Sequence, residues 1–336
     1  MHQSLEYIKK LAEKTVPSMR YDSIESYESW KKRAVEKLYE LLGLPLNLCE
    51  DLFVVTAEEE CANYKRIDFT YQSEEAYFVP GSLLVPYEAI LPCKTAICIQ
   101  GHSSGMHISF GIEKFKGDDV LIVGGRNFAE RAVQEGYCAV VLEQRYMGIS
   151  GQLSDGAPLC ARRNAALPSL LFGRTAIGER VWDVQRLLDV LKKHFAEYVD
   201  MENILCMGNS GGGTTTFYAA CVDDRIKLAM PSCAVCEFED SIVPKHHCCC
   251  NYIPGIRRYF EMGDMAGLIA DRKLIMVCGV LDPDFPMDGV EKSYERALQV
   301  FDGLGRAEFC RLVKGPAGHQ FYPDLAWPIA NELMKK

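Results

Sequence analysis

Residues 207–213 read Met-Gly-Asn-Ser-Gly-Gly-Gly and enclose a Gly-x-Ser-x-Gly motif centred on Ser210. An apolar run, 203–207, precedes it, and a helix-compatible run, 214–221, follows. Strand, sharp turn and helix form the context in which this motif carries chemistry. Bulky neighbours would clash in so tight a turn, so glycines flank the serine. The turn lifts the hydroxyl clear of the sheet and brings the next backbone N–H close to it. The bare motif is common by chance; the strand before it and the helix after it give it weight.

The rest of the chain supplies a sheet for such a turn. Leu5, Ile8, Leu11 and Ala12 recur at helical spacing, as do Trp30, Ala34, Leu38 and Leu41 within 27–42. Gly43 and Pro45 stop the second run. Residues 1–60 are therefore expected to be an N-terminal helical extension that packs on the main domain and offers a surface for homo-oligomer contact. Within 52–88 the segments 68–71 and 77–86 read as strands of an antiparallel start to a sheet. From about residue 92, short apolar runs (95–99, 138–142, 203–207, 227–231, 274–279, 309–313) alternate with helical patterns (128–135, 177–195, 291–304, 324–334). In the second of these helices Val181, Val184, Leu187, Leu188 and Leu191 share a face. This alternation predicts an α/β fold with a mostly parallel central sheet and helices on both faces. No linker composition interrupts 61–336, which reads as one catalytic domain with a pocket-covering insertion at about 236–262. Residues 262–265, Met-Gly-Asp-Met, read as loop.

A serine hydroxyl is a weak nucleophile at neutral pH and needs a base, which needs a partner to orient it. In the strand–turn–helix setting the order along the chain is serine, acid, histidine. Asp282 lies directly past the strand ending at Gly279, with Asp284 as its competitor two residues on. His319 is the only histidine after Asp282, and it sits between the last strand and the last helix. The expected catalytic set is Ser210, Asp282 and His319. An oxyanion hole needs two N–H donors. Gly211 supplies one by position, and the backbone N–H of His102, in the Gly101-His102 turn after an earlier strand, is expected to supply the other. The His102 imidazole could instead line the pocket. Arg145, Arg163, Arg174 and Arg180 fall in or beside the loops of the expected cleft. Most are expected to pair with Glu143, Glu179 or Asp183, while one could hold a substrate carboxylate.

Composition narrows the partners. The chain has 336 residues and a formal net charge of −9, which disfavours nucleic acid and anionic membranes. The opening residues lack a basic start followed by an apolar core, and no apolar run is long enough to cross a bilayer. Several of the fifteen cysteines, among them Cys98, Cys138, Cys206 and Cys278, fall in strands, where a free thiol acts as a small apolar side chain. A reducing, cytoplasmic setting is expected, with a small-molecule ester as partner and neither cofactor nor metal.

The chain resembles the α/β-hydrolases and, within them, the acetyl xylan esterase-related, dienelactone hydrolase-like branch. The resemblance rests on residues 79–86 (Val-Pro-Gly-Ser-Leu-Leu-Val-Pro), Gly101-His102, Leu171-Phe172-Gly173-Arg174, Gly178-Glu179-Arg180-Val181-Trp182-Asp183, the Ser210 motif, Leu281-Asp282-Pro283 and Gly318-His319. It covers residue 60 onward and implies hydrolysis of acetyl or other acyl esters, often on sugars. Branch members that act on polysaccharide are often exported, and the lack of an export signal favours a small ester here. Residues 233–255 hold Cys233, Cys236, His246, His247, Cys248, Cys249 and Cys250. They resemble the branch's His-Cys-x-Cys-Asn-Tyr-x-Pro-Gly stretch, which implies a structural or pocket-lining role, with zinc binding or redox switching as the alternatives. A serine peptidase of the same fold, with Glu143 holding a substrate amino terminus, and a zinc-organised binding protein are the competing functions.

Overall fold

A computed structural model describes residues 3–151 and 166–336. Nine strands form one sheet in the order β1-β2-β3-β5-β4-β6-β7-β8-β9. They are β1 (Phe53–Glu60), β2 (Tyr64–Glu74), β3 (Tyr77–Pro86), β4 (Cys93–Ile99), β5 (Cys138–Leu142), β6 (Val199–Asn209), β7 (Leu228–Ser232), β8 (Lys273–Gly279) and β9 (Cys310–Gly315). The first three strands and the β3–β5 pair are antiparallel; β5-β4-β6-β7-β8-β9 run parallel. The order reverses at β4, which has β5 on one side and β6 on the other. In open α/β sheets the loops beyond such a reversal diverge and leave a crevice at the carboxyl ends of the strands. The Gly101-His102 turn and Ser210 lie there, just past β4 and β6.

The parallel strands are apolar throughout because both faces are covered. On β4, Ile97 and Ile99 join one core while Ala96 and Cys98 join the other. The first core takes α2 (Tyr27–Leu42), α6 (Ala176–His194), α7 (Gly211–Val222), α8 (Met262–Ala266) and α9 (Met287–Gly303). The second takes α4 (Phe128–Gln134) and α10 (Pro323–Leu333). The remaining α-helices among the described residues are α1 (Gln3–Lys14), α3 (Asp118–Leu121) and α5 (Leu167–Ser169).

Two expectations need correction. The stretch 1–60 is helical only in α1 and α2, because β1 already forms the outer strand of the sheet, paired with β2 from Phe53↔Tyr71 to Glu60↔Lys65. Phe53 is half-buried and the other seven residues of β1 are exposed, so there is no in–out alternation to read. Residues 262–265 begin a helix rather than a loop: α8 is capped by Glu261 and Asp264, whose side chains reciprocally bond the backbone of the first turn. At five residues it is too short to show a period.

Helix α2 anchors the N-terminal segment. Ser26 caps it by accepting from Ser29 N, and Gly43 ends it at φ 77°. Trp30 is 1% exposed, and its indole N–H donates to Met19 O at 2.8 Å. Replacing Trp30 with Ala is expected to destabilise the protein by about 3–5 kcal/mol, read as a lower urea midpoint with an unchanged slope.

Candidate active site

Strand β6 delivers Ser210 at φ 57° and ψ −123°, a conformation that a non-glycine residue adopts only under constraint. Ser210 N donates to Ser232 O at the end of β7 (2.9 Å), and Ser210 O accepts from Thr214 N (2.8 Å), so the residue is pinned between a strand and the first turn of α7. Close packing fixes the glycines around it. A Cβ on Gly212 would lie 2.1 Å from Ile99 O, and one on Gly101 would lie 2.4 Å from Asn209 O. The ends of β4 and β6 thus meet backbone to backbone. A Cβ on Gly211 would come within 2.9 Å of the His102 ring, so the two expected oxyanion positions are neighbours.

His319 and Asp282 meet across the ends of β9 and β8. His319 Nδ1 lies 2.8 Å from Asp282 Oδ2. The other carboxylate oxygen accepts from the backbone N–H groups of Asp284 (2.8 Å) and Phe285 (3.2 Å). Burial works to raise the Asp282 carboxyl, but the His319 hydrogen bond and charge hold it below its usual value. It is therefore Asp282, not Asp284, that bonds His319. Phe285 stacks on the imidazole with centroids 5.9 Å apart, and His247 meets the other ring edge-on at 5.4 Å.

Ser210, Gly211, His102 and His319 all line one pocket of about 130 Å³, together with Thr214, His246, His247, Cys248, Asn251, Asp284 and Phe285. Sequence spacing gave no signal for Thr214 or Phe285. The segment 246–251 was legible only as an unusual cluster of histidine and cysteine.

Known proteins share this fold. A Bacteroides fragilis NCTC 9343 structure provisionally described as an acetyl xylan esterase superposes with TM-score 0.77 at 16% identity, covering 94% of this chain and 82% of that one. The chain has the α/β-hydrolase fold. A glucuronoyl esterase from Solibacter usitatus gives 0.69 at 15% identity, with 96% and 97% covered. In sequence, YtaP of Bacillus subtilis (strain 168), provisionally named a hydrolase, is 25% identical over 293 residues, 84% of this chain and 92% of its own. No family model matches the chain. Among the described residues, no helix is long and apolar enough to cross a membrane.

The cysteine cluster of 233–250 does not act as one unit. Cys233, at φ 47°, lies against Asp282: its donor atom, that of Asp282 and that of His319 lie within 4.8 Å of one another. Burial, then the Asp282 charge, keeps it a thiol. Cys236 is buried in the first core, with its backbone N–H on the Met262 sulfur (3.4 Å). Cys248 and Cys250 gather with His102. The Cys249 and Cys250 thiols and the His102 ring draw the Cys248 thiol well below its usual range, against burial.

The arginines are structural rather than poised at the pocket. Arg145 pairs with Asp183 (2.8 Å) and Glu74 (2.7 Å), and Arg174 pairs with Glu74 and with Glu179 (2.6 Å). Glu74, absent from the expected pairings, bridges the two. Arg180 donates from Nε to Arg145 O at 3.1 Å. Arg163 lies outside the described residues.

Glu143 corrects a further expectation. Among the described residues it pairs with no arginine; it accepts from Met106 N at 3.2 Å and so holds the segment that follows the His102 turn. Ser104, His107 and Asp118 brace the same segment. Asp118 lies 2.8 Å from the His107 ring and accepts from the backbone of Lys114 and Phe115 (2.9 Å each). Burial pushes Glu143 up to about 8. Unfolded, a glutamate titrates near 4.3. Below that value both states hold the proton. Between it and about 8 only the folded state does, so stability falls as pH rises through this window. The unfolding free energy from urea titration should therefore be lower at about pH 8 than at about pH 5 by a few kcal/mol in the wild type and by much less in Glu143→Gln, which keeps the acceptor for Met106.

Proposed function

We propose that this protein is a serine esterase that removes a small acyl group, of the acetyl class, from an alcohol such as a sugar hydroxyl. The observation that carries the reading is the His319–Asp282 hydrogen bond of 2.8 Å on the wall of the pocket that also exposes Ser210 at its strained turn.

In this reading Ser210 attacks the ester carbonyl and His319 takes its proton. Asp282, fixed by two backbone N–H groups, holds the imidazole in the tautomer that leaves its other nitrogen free to accept. The N–H groups of Gly211 and His102 receive the developing oxyanion, and Gly211 adds the positive end of α7. His319 then protonates the leaving alcohol. A water activated by the same histidine frees the acyl group and restores Ser210.

Pocket size supports a short acyl chain: about 130 Å³ with a largely polar, histidine-rich wall suits an acetyl group better than a fatty chain. The names of structural neighbours point the same way, with an acetyl xylan esterase, glucuronoyl esterases and a methylesterase among them. The peptidase alternative looked to Glu143 to hold an amino terminus. Glu143 is buried and engaged with Met106, and it is not among the residues that line the pocket.

A fluorophosphonate should add one adduct to the protein, seen by intact mass, and none to Ser210→Ala. p-Nitrophenyl acetate turnover should fall about 10⁴-fold or more in Ser210→Ala, by about 10⁴-fold in Asp282→Asn, and the acetyl ester should outpace long-chain esters. Absence of any adduct on folded wild type would overturn the proposal.

A further inference from the structure

The pocket wall carries a donor set that ester hydrolysis does not use. An imidazole nitrogen of His102 and the thiol sulfurs of Cys248 and Cys250 lie within 4.8 Å of one another. They come from two distant parts of the chain, the turn after β4 and the segment that follows β7. His102 and Cys248 also line the pocket, so the cluster opens toward solvent through it. Cys250 is fully buried behind them, with Ala166 and Ala176.

We infer that His102, Cys248 and Cys250 form a binding site for one thiophilic divalent cation of the zinc class, with its fourth coordination position facing the pocket. Two thiolates and one imidazole are ligands that zinc accepts in tetrahedral sites, at about 2.3 Å for sulfur and about 2.0–2.1 Å for nitrogen. Those bond lengths place tetrahedral ligand atoms about 3.3–3.8 Å apart. The three donors, already within 4.8 Å of one another, would have to close by at most about 1.5 Å to reach that spacing, within the reach of side-chain rotation. Harder cations such as magnesium or calcium prefer oxygen and are excluded by the donor set.

A second observation supports a charged sulfur site. Arg180 lies on α6, which packs against the turn 249–251, and is 1% exposed. Its Nη1 and Nη2 have no hydrogen-bond partner. A buried, unpartnered guanidinium is costly. Metal-bound thiolates beside it are negatively charged acceptors of the kind such a group can orient. The metal site and the esterase reading share His102 but not the same atoms: the oxyanion role uses its backbone N–H, the metal its ring.

The test is titration of reduced, chelator-treated full-length protein with cobalt(II), followed by competition with zinc. One equivalent of cobalt should produce a near-ultraviolet thiolate-to-cobalt charge-transfer band and visible bands of tetrahedral intensity, and one equivalent of zinc should abolish both. Cys248→Ser should lose the charge-transfer band or weaken binding at least tenfold, and His102→Asn should weaken it by a similar factor. Cys61→Ser, a half-buried thiol between β1 and β2 and outside the donor set, should bind as the wild type does. No charge-transfer band at stoichiometric cobalt, or an unchanged band in Cys248→Ser, would overturn the site. Neither result depends on Ser210 reacting with a fluorophosphonate, so the failure of one proposal is separable from the failure of the other.

Discussion

The backbone contact between the ends of β4 and β6 is the constraint on which the active region depends. Gly212 lies so close to Ile99 O, and Gly101 so close to Asn209 O, that no side chain fits at either position. That approach places the turn after β4 beside the turn after β6, and so brings His102 next to Gly211. It also holds Ser210 at a positive φ that a free chain would leave. The cost of that conformation, of order 1–3 kcal/mol, is offset by the packed sheet on either side and by the hydrogen bond from Ser210 N to Ser232 O.

Around this contact, buried charge does the work that loops alone could not. Arg145, Asp183, Glu74, Arg174 and Glu179 form a connected network that ties α6 to the end of β2 and to the segment after β5. Removing one member would leave an uncompensated buried charge, which costs more than the pair gains. Asp118 plays a matching part in the segment that follows the His102 turn. Burial alone would raise its carboxyl; the Ser104 and His107 side chains and two backbone N–H groups bring it down to about 2. Ser104, His107 and Asp118 repeat the residue types of the proposed triad, but all three are buried and brace a loop.

The far wall of the pocket has a different origin. Residues 246–251 follow the strand after Ser210 and fold back so that His246, His247, Cys248 and Asn251 face the site. Ring contacts then link His247 through Phe285 to His319. A histidine-rich wall of this kind joins the proposed chemistry of Ser210 to the inferred cation site, since both are reached through one small opening.

Much of this was legible in the chain. Continuous apolar runs and glycine punctuation revealed the parallel strands, because a strand covered on both faces must be apolar throughout. The order Ser210, Asp282, His319 could be read because each residue directly follows a strand, and strand ends on one edge of a parallel sheet are near one another by topology. Strand β1 and helix α8 escaped notice because an exposed edge and a single capped turn leave no periodic trace. Spacing also could not divide Cys233, Cys236, Cys248 and Cys250 among three environments, or separate Arg180 from the arginines that pair. Those outcomes depend on where loops distant in sequence come to rest. The sequence by itself therefore determined the sheet, the turn at Ser210 and the order of the candidate site residues, which are local or topological. Only the tertiary structure decided the pocket's size, its second wall and the partner of each buried charge, because these arise from contacts between segments whose separation along the chain carries no periodic signal.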